Sequence, residues 1–296
     1  MTVEGALSTL TASTGNYLVP TVVDPVVRDY IQKATPILNL VTRVSWPTQT
    51  YYIRKRTALP TATWSADGGS LPTATMSQYT MVAKPVKFLY TRGEVTGPLI
   101  AASGGVVNAL QTEIQIHSAE IAEKLATDII SADGSPAEEI EGMLTQIPAT
   151  AVTAASTEGG TLDVSARNPK VLTLAMLDEA LDMTKNEADV ILCSPAVKRK
   201  ISALLQSQQR FNDTTVIGGG FRVKTYDGVA IVSDAHWNDD TQIIFYRVRD
   251  AKLLVNQDFT YEPLAKTKDS EDFFIKAYVG FALEGRPVLL KGFTLA

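Results

Sequence analysis

The residues in this 296-residue chain whose types and spacing first suggest chemistry are few: two histidines, one cysteine, a tight cluster of carboxylates at 138–141 and one triple glycine. His117 falls on the apolar stripe of a helical segment, which suits a satisfied core side chain better than a base. His236 adjoins Trp237-Asn238-Asp239-Asp240, a turn-forming run. A zinc site needs more Cys or His than the chain owns. Cys193 lies in Asp189-Val-Ile-Leu-Cys-Ser-Pro195, which reads as a buried strand, so it is a small core hydrophobe and not a nucleophile. Glu138, Glu139 and Glu141 place three carboxylates within four residues, but without a hard-metal ligand pattern they read as a solvated turn. Gly218, Gly219 and Gly220 are not followed by a helix opening with GK[ST], so they form a flexible hinge or loop and not a phosphate cradle. No GxSxG nucleophile elbow is present. Asn212-Asp213-Thr214 matches a glycosylation sequon, which carries nothing without a secretory signal. No catalytic set, cofactor site or metal site emerges. Because a carboxylate-only site is invisible in one sequence, a soluble α/β enzyme of unidentified chemistry stands as the alternative to a structural protein.

Composition narrows the classes. Hydrophobic residues make up 45% and charged residues 20% of the chain, as in an ordinary folded protein. The length allows two domains or one elaborate one. No run approaches bilayer length, so no membrane partner is expected. The first cationic side chain is Arg28, so the N-terminus lacks a signal-peptide pattern. A single cysteine rules out an intramolecular disulfide and points to a reducing compartment. The net charge of -5 and a sequence pI near 5.2 argue against a dedicated nucleic-acid-binding module, which needs a basic face.

The elements that must position these residues begin with one long periodic run. From Ser103 to Asp133 apolar side chains recur at Val107, Leu110, Ile114, His117, Ile121, Leu125 and Ile129, in the three- and four-residue steps of a helix. Ser103 is the expected N-cap, Asp133-Gly134 the stop, and the span is about 40 Å. Residues 1–20 are rich in Thr, Ser, Ala and Gly and form an extended arm. A short amphipathic segment (Val23, Val26, Val27, Tyr30, Ile31) and the apolar Thr35-Pro-Ile-Leu-Asn-Leu-Val41 follow, ending at Trp46-Pro47.

From Thr50 the period changes to two. Tyr51, Ile53 and Lys55 alternate with Tyr52, Arg54 and Arg56, and strand character returns at Met81 to Arg92 with Val82, Val86, Phe88 and Tyr90. Between these arms the segment LPTAT occurs twice, at 59–63 and 71–75, flanking Asp67-Gly68-Gly69. The spacing predicts a two-armed loop that turns at the glycines, too long to be an idle connector. Trp64, Leu71 and Met76 have little core of their own there. They either dock on a partner molecule or pack into a loop folded on itself.

Residues 171–268 alternate helix and strand. Leu174 to Met183 forms a helical stripe, Val190 to Cys193 a buried strand, and Ser194-Pro195 opens a helix through Leu205. Val229 to Val232 and Ile243 to Tyr246 suggest a strand pair. Phe273 to Leu283 forms a long strand, to be paired with something distant in sequence and laid beside the long helix, with Pro287 to Leu290 continuing its sheet.

In this order the parts resemble the tailed-bacteriophage major capsid proteins with the Hong Kong ninety-seven fold, which encapsulin nanocompartments share. The pattern is an N-arm ending near Tyr30, the apolar 35–41 run, an extended E-loop from Thr50 to Arg92, a spine helix from Ser103 to Asp133, and Asp133-Gly134 with Ile140-Glu-Gly-Met-Leu144 leaving it. Asp227 to Asp234 is similar to the axial-domain strand and Phe273 to Leu295 to the returning strand. The resemblance implies an α+β fold divided as N-terminal arm 1–34, peripheral-domain entry 35–49, E-loop 50–92, peripheral domain with spine helix 93–145, axial domain 146–268 and returning peripheral strands 269–296.

It also implies a non-enzymatic shell subunit that assembles with itself as pentamers and hexamers around viral double-stranded DNA, in the virion, after synthesis in the host cytoplasm. The acidic balance fits a wall that encloses DNA without sequence-specific grip. Inter-subunit contacts are implied for Trp64, Asp67, Gly68, Gly69, Leu71 and Met76 in the E-loop, and for Tyr17, Leu18 and Tyr30 in the N-arm. Gly218, Gly219 and Gly220 serve as the hinge or axial loop. Portal and decoration proteins are further implied partners. An encapsulin-type shell is the alternative within the fold. Two departures matter: no lysine lies between Leu59 and Met76, so covalent cross-linking is not implied. Met1 precedes the arm by only a few residues, so a separate scaffold, or none, is expected.

Overall fold

The computed structural model describes residues 36–71, 73–103, 108–153, 158–207, 214–217, 221–237, 239–266 and 268–295. In chain order, a 3-10 turn Pro36–Asn39 precedes β1 (Thr42–Ser45), β2 (Thr50–Ala58), β3 (Gln78–Pro85), β4 (Lys87–Thr96), α1 (Gly97–Ser103), α2 (Ala109–Ser131) and α3 (Met143–Gln146). Next come β5 (Gly160–Asp163), α4 (Leu174–Met183), β6 (Val190–Cys193), α5 (Pro195–Ser207), β7 (Thr214–Ile217), β8 (Phe221–Tyr226), β9 (Val229–Ser233) and β10 (Gln242–Tyr246). The chain ends with a 3-10 turn Val248–Asp250, β11 (Ala251–Pro263), β12 (Ser270–Leu283) and β13 (Val288–Lys291).

These strands make a four-stranded sheet in the order β1-β11-β12-β4, a seven-stranded sheet β5-β13-β10-β6-β9-β8-β7, and the two-stranded ribbon β2-β3. The mixture of helices with largely antiparallel sheets is the expected α+β class.

The long helix is shorter than its sequence pattern. α2 starts at Ala109, where the Asn108 side chain accepts the Gln111 N–H at 3.2 Å, so Asn108 is the N-cap and not Ser103. Ser103 instead ends the separate helix α1. Between the two helices the sequence carries Gly104-Gly105, each costing a helix about 1 kcal/mol relative to alanine. Val107 lies outside the described residues. At the far end Ala132 closes α2, and Gly134 takes φ +76°, the left-handed conformation that glycine adopts without steric cost. The stripe itself holds: Ile121, Leu125 and Ile129 are buried, each contributing about 1.5–3 kcal/mol of transfer free energy.

α2 lies between the two larger sheets. One core gathers Leu125, Ala126, Ile129 and Ile130 of α2 with Val279 and Phe281 of β12, Ile37 of the first turn, and Val190, Leu192 and Ile244 of the seven-stranded sheet. A second core fills the opposite face of that sheet, where Leu177 and Leu181 of α4 and Val197 and Ile201 of α5 meet Ile191, Cys193, Ile243 and Phe245. β6 is buried on both faces, which explains its unbroken apolar sequence.

Several strand expectations shift partners. β12 pairs with β4 and β11, both distant in sequence, as expected. β9 and β10 do not pair with each other: each flanks β6, β9 in parallel and β10 antiparallel. β13 leaves the β12 sheet and joins β5 and β10, while β11 belongs to the four-stranded sheet. The predicted 81–92 arm splits at Val86, so the ribbon ends at Pro85 and the next ten residues enter the four-stranded sheet as β4. Its phase also differs, since Phe88 and Tyr90 are exposed while Val86 and Val95 are buried.

Candidate inter-subunit site

The ribbon β2-β3 is anchored at its base and free at its tip. Alternation decides the base. Ile53 and Val82, cross-strand partners, turn inward on Leu254 and Ala282, and Trp46 meets Tyr51 edge-on with centroids 4.9 Å apart. Around this apolar patch runs a polar seam. The Tyr51 hydroxyl donates to Glu284 at 2.6 Å, and Lys252 donates to Glu284 at 2.7 Å and to the Tyr51 oxygen at 3.1 Å. Burial, reinforced by Glu284, holds the Tyr51 hydroxyl above its ordinary pKa. Burial works against the charge on Lys252, but its bonds to Glu284 and Tyr51 outweigh it and raise that pKa. Lys84 pairs with Glu141 at 2.5 Å and Lys55 with Glu158 at 3.3 Å. Glu139 pairs with Lys124, so two of the three clustered glutamates serve as ion-pair partners. Among the described residues no group of His, Cys, Asp and Glu can hold a metal.

Past Ala58 and Gln78 the ladder stops. Pro60 and Pro72 each lack an N–H, so each LPTAT copy carries a residue that cannot donate to a continued ladder; Pro72 lies outside the described residues. Thr61 N–H donates to Thr75 Oγ1 at 2.8 Å, and Gly69 N–H to Ala66 O at 2.9 Å. Gly68, at φ +74°, makes the predicted turn, and Asp67 is the one charged residue from 59 to 77. Trp64 is 104% exposed, Leu71 92% and Met76 84%. Three large apolar side chains thus stand in solvent on a two-stranded ribbon, an element marginal by itself. Of the two readings of these residues, a loop folded on its own core is not what the chain adopts.

Two neighbouring surfaces escaped the sequence reading. On the outer side of the ribbon, Arg54 faces Met81 and Arg56 faces Tyr79 across the strands, with Tyr52 and Tyr79 also exposed. On the four-stranded sheet, the face turned away from α2 carries Phe88, Tyr90, Phe274, Lys276 and Tyr278. Phe88 packs edge-on against Tyr278 at 4.9 Å, and Lys276 lies over Phe274 and Tyr278 at 5.6 and 5.8 Å. Lys276 also pairs with Glu262 and Arg92 with Asp272, so the face is electrically balanced and aromatic. The i, i+2 spacing of Phe88 and Tyr90 carried the signal, but that same spacing also fits a buried face.

The other singled-out residues are placed as follows. Tyr17, Leu18, Tyr30 and Gly218, Gly219 and Gly220 lie outside the described residues, the glycines between the last residue of β7 and the first of β8. His117 is half-buried, with Nδ1 2.7 Å from Thr91 Oγ1 and its ring edge-on to Phe273, a satisfied side chain as expected. Cys193 is fully buried, and burial pushes its thiol up to about 12, which removes the thiolate a nucleophile needs. His236 sits in a turn, as expected, but is buried against Asp234 and Glu123, which no sequence signal indicated. Among the described residues no helix is long and apolar enough to cross a membrane.

A family model described as SU10 major capsid protein matches residues 7–286. No curated protein sequence matches the chain. Among solved structures, the capsid of cyanophage A-1(L) superposes with a TM-score of 0.77 at 15% identity, covering 97% of this chain and 100% of that one. The capsid of a native GTA particle gives 0.76 at 14% identity, with 98% and 100% covered. The holo-SrpI encapsulin complex from Synechococcus elongatus PCC 7942 gives 0.73 at 12% identity, with 95% of each chain covered. The fold is therefore the Hong Kong ninety-seven type.

Proposed function

The chain belongs to the SU10 major capsid protein family, and from that premise we propose that the β2-β3 ribbon is the element by which one shell subunit grips the next. A major capsid protein is a structural shell subunit of the virion that associates with its own copies. The finer reading concerns how. The observation that carries it is the near-complete exposure of Trp64, Leu71 and Met76 on a tip with one charge. The same chain exposes a balanced aromatic face at Phe88 and Tyr90, packed on the half-buried Tyr278. The upper end of that face is already covered by the ribbon's own base, where Gly280 lies against Pro85 and Val86. The lower end is bare and suits the tip of a second copy.

Tip and face are different surfaces, so their contact is head-to-tail, the kind of contact that builds pentamers and hexamers where its rotation closes a ring. An icosahedral shell of such rings would enclose double-stranded DNA without sequence-specific binding, with no catalytic role for the chain. Separate scaffold, portal and decoration proteins would complete the particle, and synthesis would be in the host cytoplasm. The likeness to an encapsulin supports the second reading, a nanocompartment shell, and the content of purified particles, DNA or a cargo enzyme, separates the two.

The test is Trp64→Ala in the full chain. A buried tryptophan removes about 150–250 Å² from water, so assembly followed by light scattering and electron microscopy is expected to need a much higher subunit concentration. Thermal unfolding of the unassembled subunit is expected to be unchanged. Equal loss of subunit stability overturns the docking role, and a wild-type chain that stays at 32 kDa at every salt and pH overturns the shell reading itself.

A further inference from the structure

The imidazole of His236 is 4% exposed in the turn that leaves β9. Its Nδ1 lies 2.6 Å from Asp234 Oδ1, an oxygen that also accepts the backbone N–H of His236 at 2.9 Å. Asp234 is itself fully buried, and its second oxygen accepts the Ile37 N–H at 3.2 Å. A buried carboxylate so placed requires a donor at Nδ1, which fixes the tautomer of the neutral ring. The lone pair of that ring then sits on Nε2, which is buried without a hydrogen-bond partner. It is 3.6 Å from Oε1 of Glu123 on α2.

On a neutral ring two acceptors therefore confront each other across this gap. A proton on Nε2 converts the same approach into a charge-assisted contact and leaves one imidazolium between two carboxylates. Among the described residues, the other ionisable groups on the elements packed near it are engaged elsewhere. On α2, Lys124 bonds Asp128 and Glu139. Along the turn, Asp239 accepts from Thr241 and Asp240 from Ser194. From α5, Lys198 reaches Ser233 Oγ at 3.4 Å. From β10, the Tyr246 hydroxyl donates to Leu40 O. Among the described residues no lysine or arginine is paired with Asp234 or Glu123.

We infer that His236 is a proton-operated latch between α2 and the seven-stranded sheet, bridging Asp234 to Glu123 when charged and releasing the helix when neutral. The latch is independent of how subunits contact one another. It makes the seating of the long helix between its two sheets depend on pH, through one side chain that joins them.

Glu123→Gln tests it, because a carboxamide can accept from the charged ring or donate to Nε2 of the neutral one. Urea unfolding of the full-length, unassembled subunit is compared at about pH 5 and about pH 8.5, which bracket imidazole titration. The variant is expected to lower the folding equilibrium constant about tenfold at the acid end and to raise it about tenfold at the alkaline end. In a His236→Asn background that reversal of sign disappears. The same sign at both pH values, or a reversal that persists without His236, overturns the latch. Where His236→Asn does not fold, the ¹³C shift of the His236 ring decides. The chain has two histidines, and Glu123→Gln must change the resonances of the His236 ring carbons beside Nε2 at the acid end, where the charged contact forms. Unchanged resonances overturn the latch equally.

Discussion

Gly93→Ala is the most exacting probe of how the four-stranded sheet meets the long helix. Gly93 on β4 stands directly across from Phe273 on β12, and the Phe273 ring lies over it, 1% exposed. A Cβ at position 93 would meet Phe273 Cζ, stand 2.7 Å from its Cε1 and 2.9 Å from His117 Nε2, where ordinary contacts begin at 3.4 Å. The ring must therefore retreat by more than about 0.7 Å, since Cζ is nearer still than Cε1, and it has no room. His117 lies edge-on at 5.4 Å and Tyr261 is tilted over it at 5.7 Å, while Val95, Ile121 and Ile275 close the pocket.

Overpacking of this kind costs about 1–3 kcal/mol, offset only slightly by the lower chain entropy of alanine. Urea unfolding of the unassembled subunit measures it. Phe273→Leu alone should also destabilise, by loss of ring contacts. The double variant should lose less than the two single losses combined, because the smaller side chain vacates the space that the new methyl needs. A Gly93→Ala subunit within 0.5 kcal/mol of wild type, or strictly additive losses, would refute the steric argument.

Two further outcomes follow from local geometry. Asn108→Ala removes the side chain that caps α2 and should cost about 1 kcal/mol, read by urea unfolding; an unchanged midpoint would return the cap to another residue. The Arg167 guanidinium, 2.7 Å from Glu179, holds that carboxyl below its ordinary pKa. A depressed folded-state value stabilises above the usual carboxylate range and is lost as pH falls through the depressed one. Arg167→Met should therefore cost about 0.3–0.5 kcal/mol near neutrality, discounted for solvent exposure, with the difference from wild type vanishing in acid. A difference that survives at about pH 2 would assign it to packing instead.

Local patterns carried much of this protein into view from sequence alone. The 3.6-residue stripe through Ile121, Leu125 and Ile129 located α2, the unbroken Val190–Cys193 run located the central buried strand, and Ser194-Pro195 marked a helix start, where Ser194 Oγ now accepts the Val197 N–H. The doubled LPTAT around Gly68 marked the exposed tip. Each of these is set by neighbours within a few residues, so periodicity, capping and turn chemistry suffice to read it.

What the sequence left open was decided by partners far along the chain. The alternation at Phe88 and Tyr90 identifies a strand, but which face is buried depends on the side from which α2 approaches. β13 continues the chain after β12, yet the short connection through Gly285, at φ +70°, carries it into the other sheet, between β5 and β10. His236 is a lone polar residue beside a turn until Glu123, 113 positions earlier, is brought 3.6 Å from its Nε2. Backbone preference acts locally and is written residue by residue. Burial is a property of which surfaces meet, and that is settled only when the whole chain closes on itself.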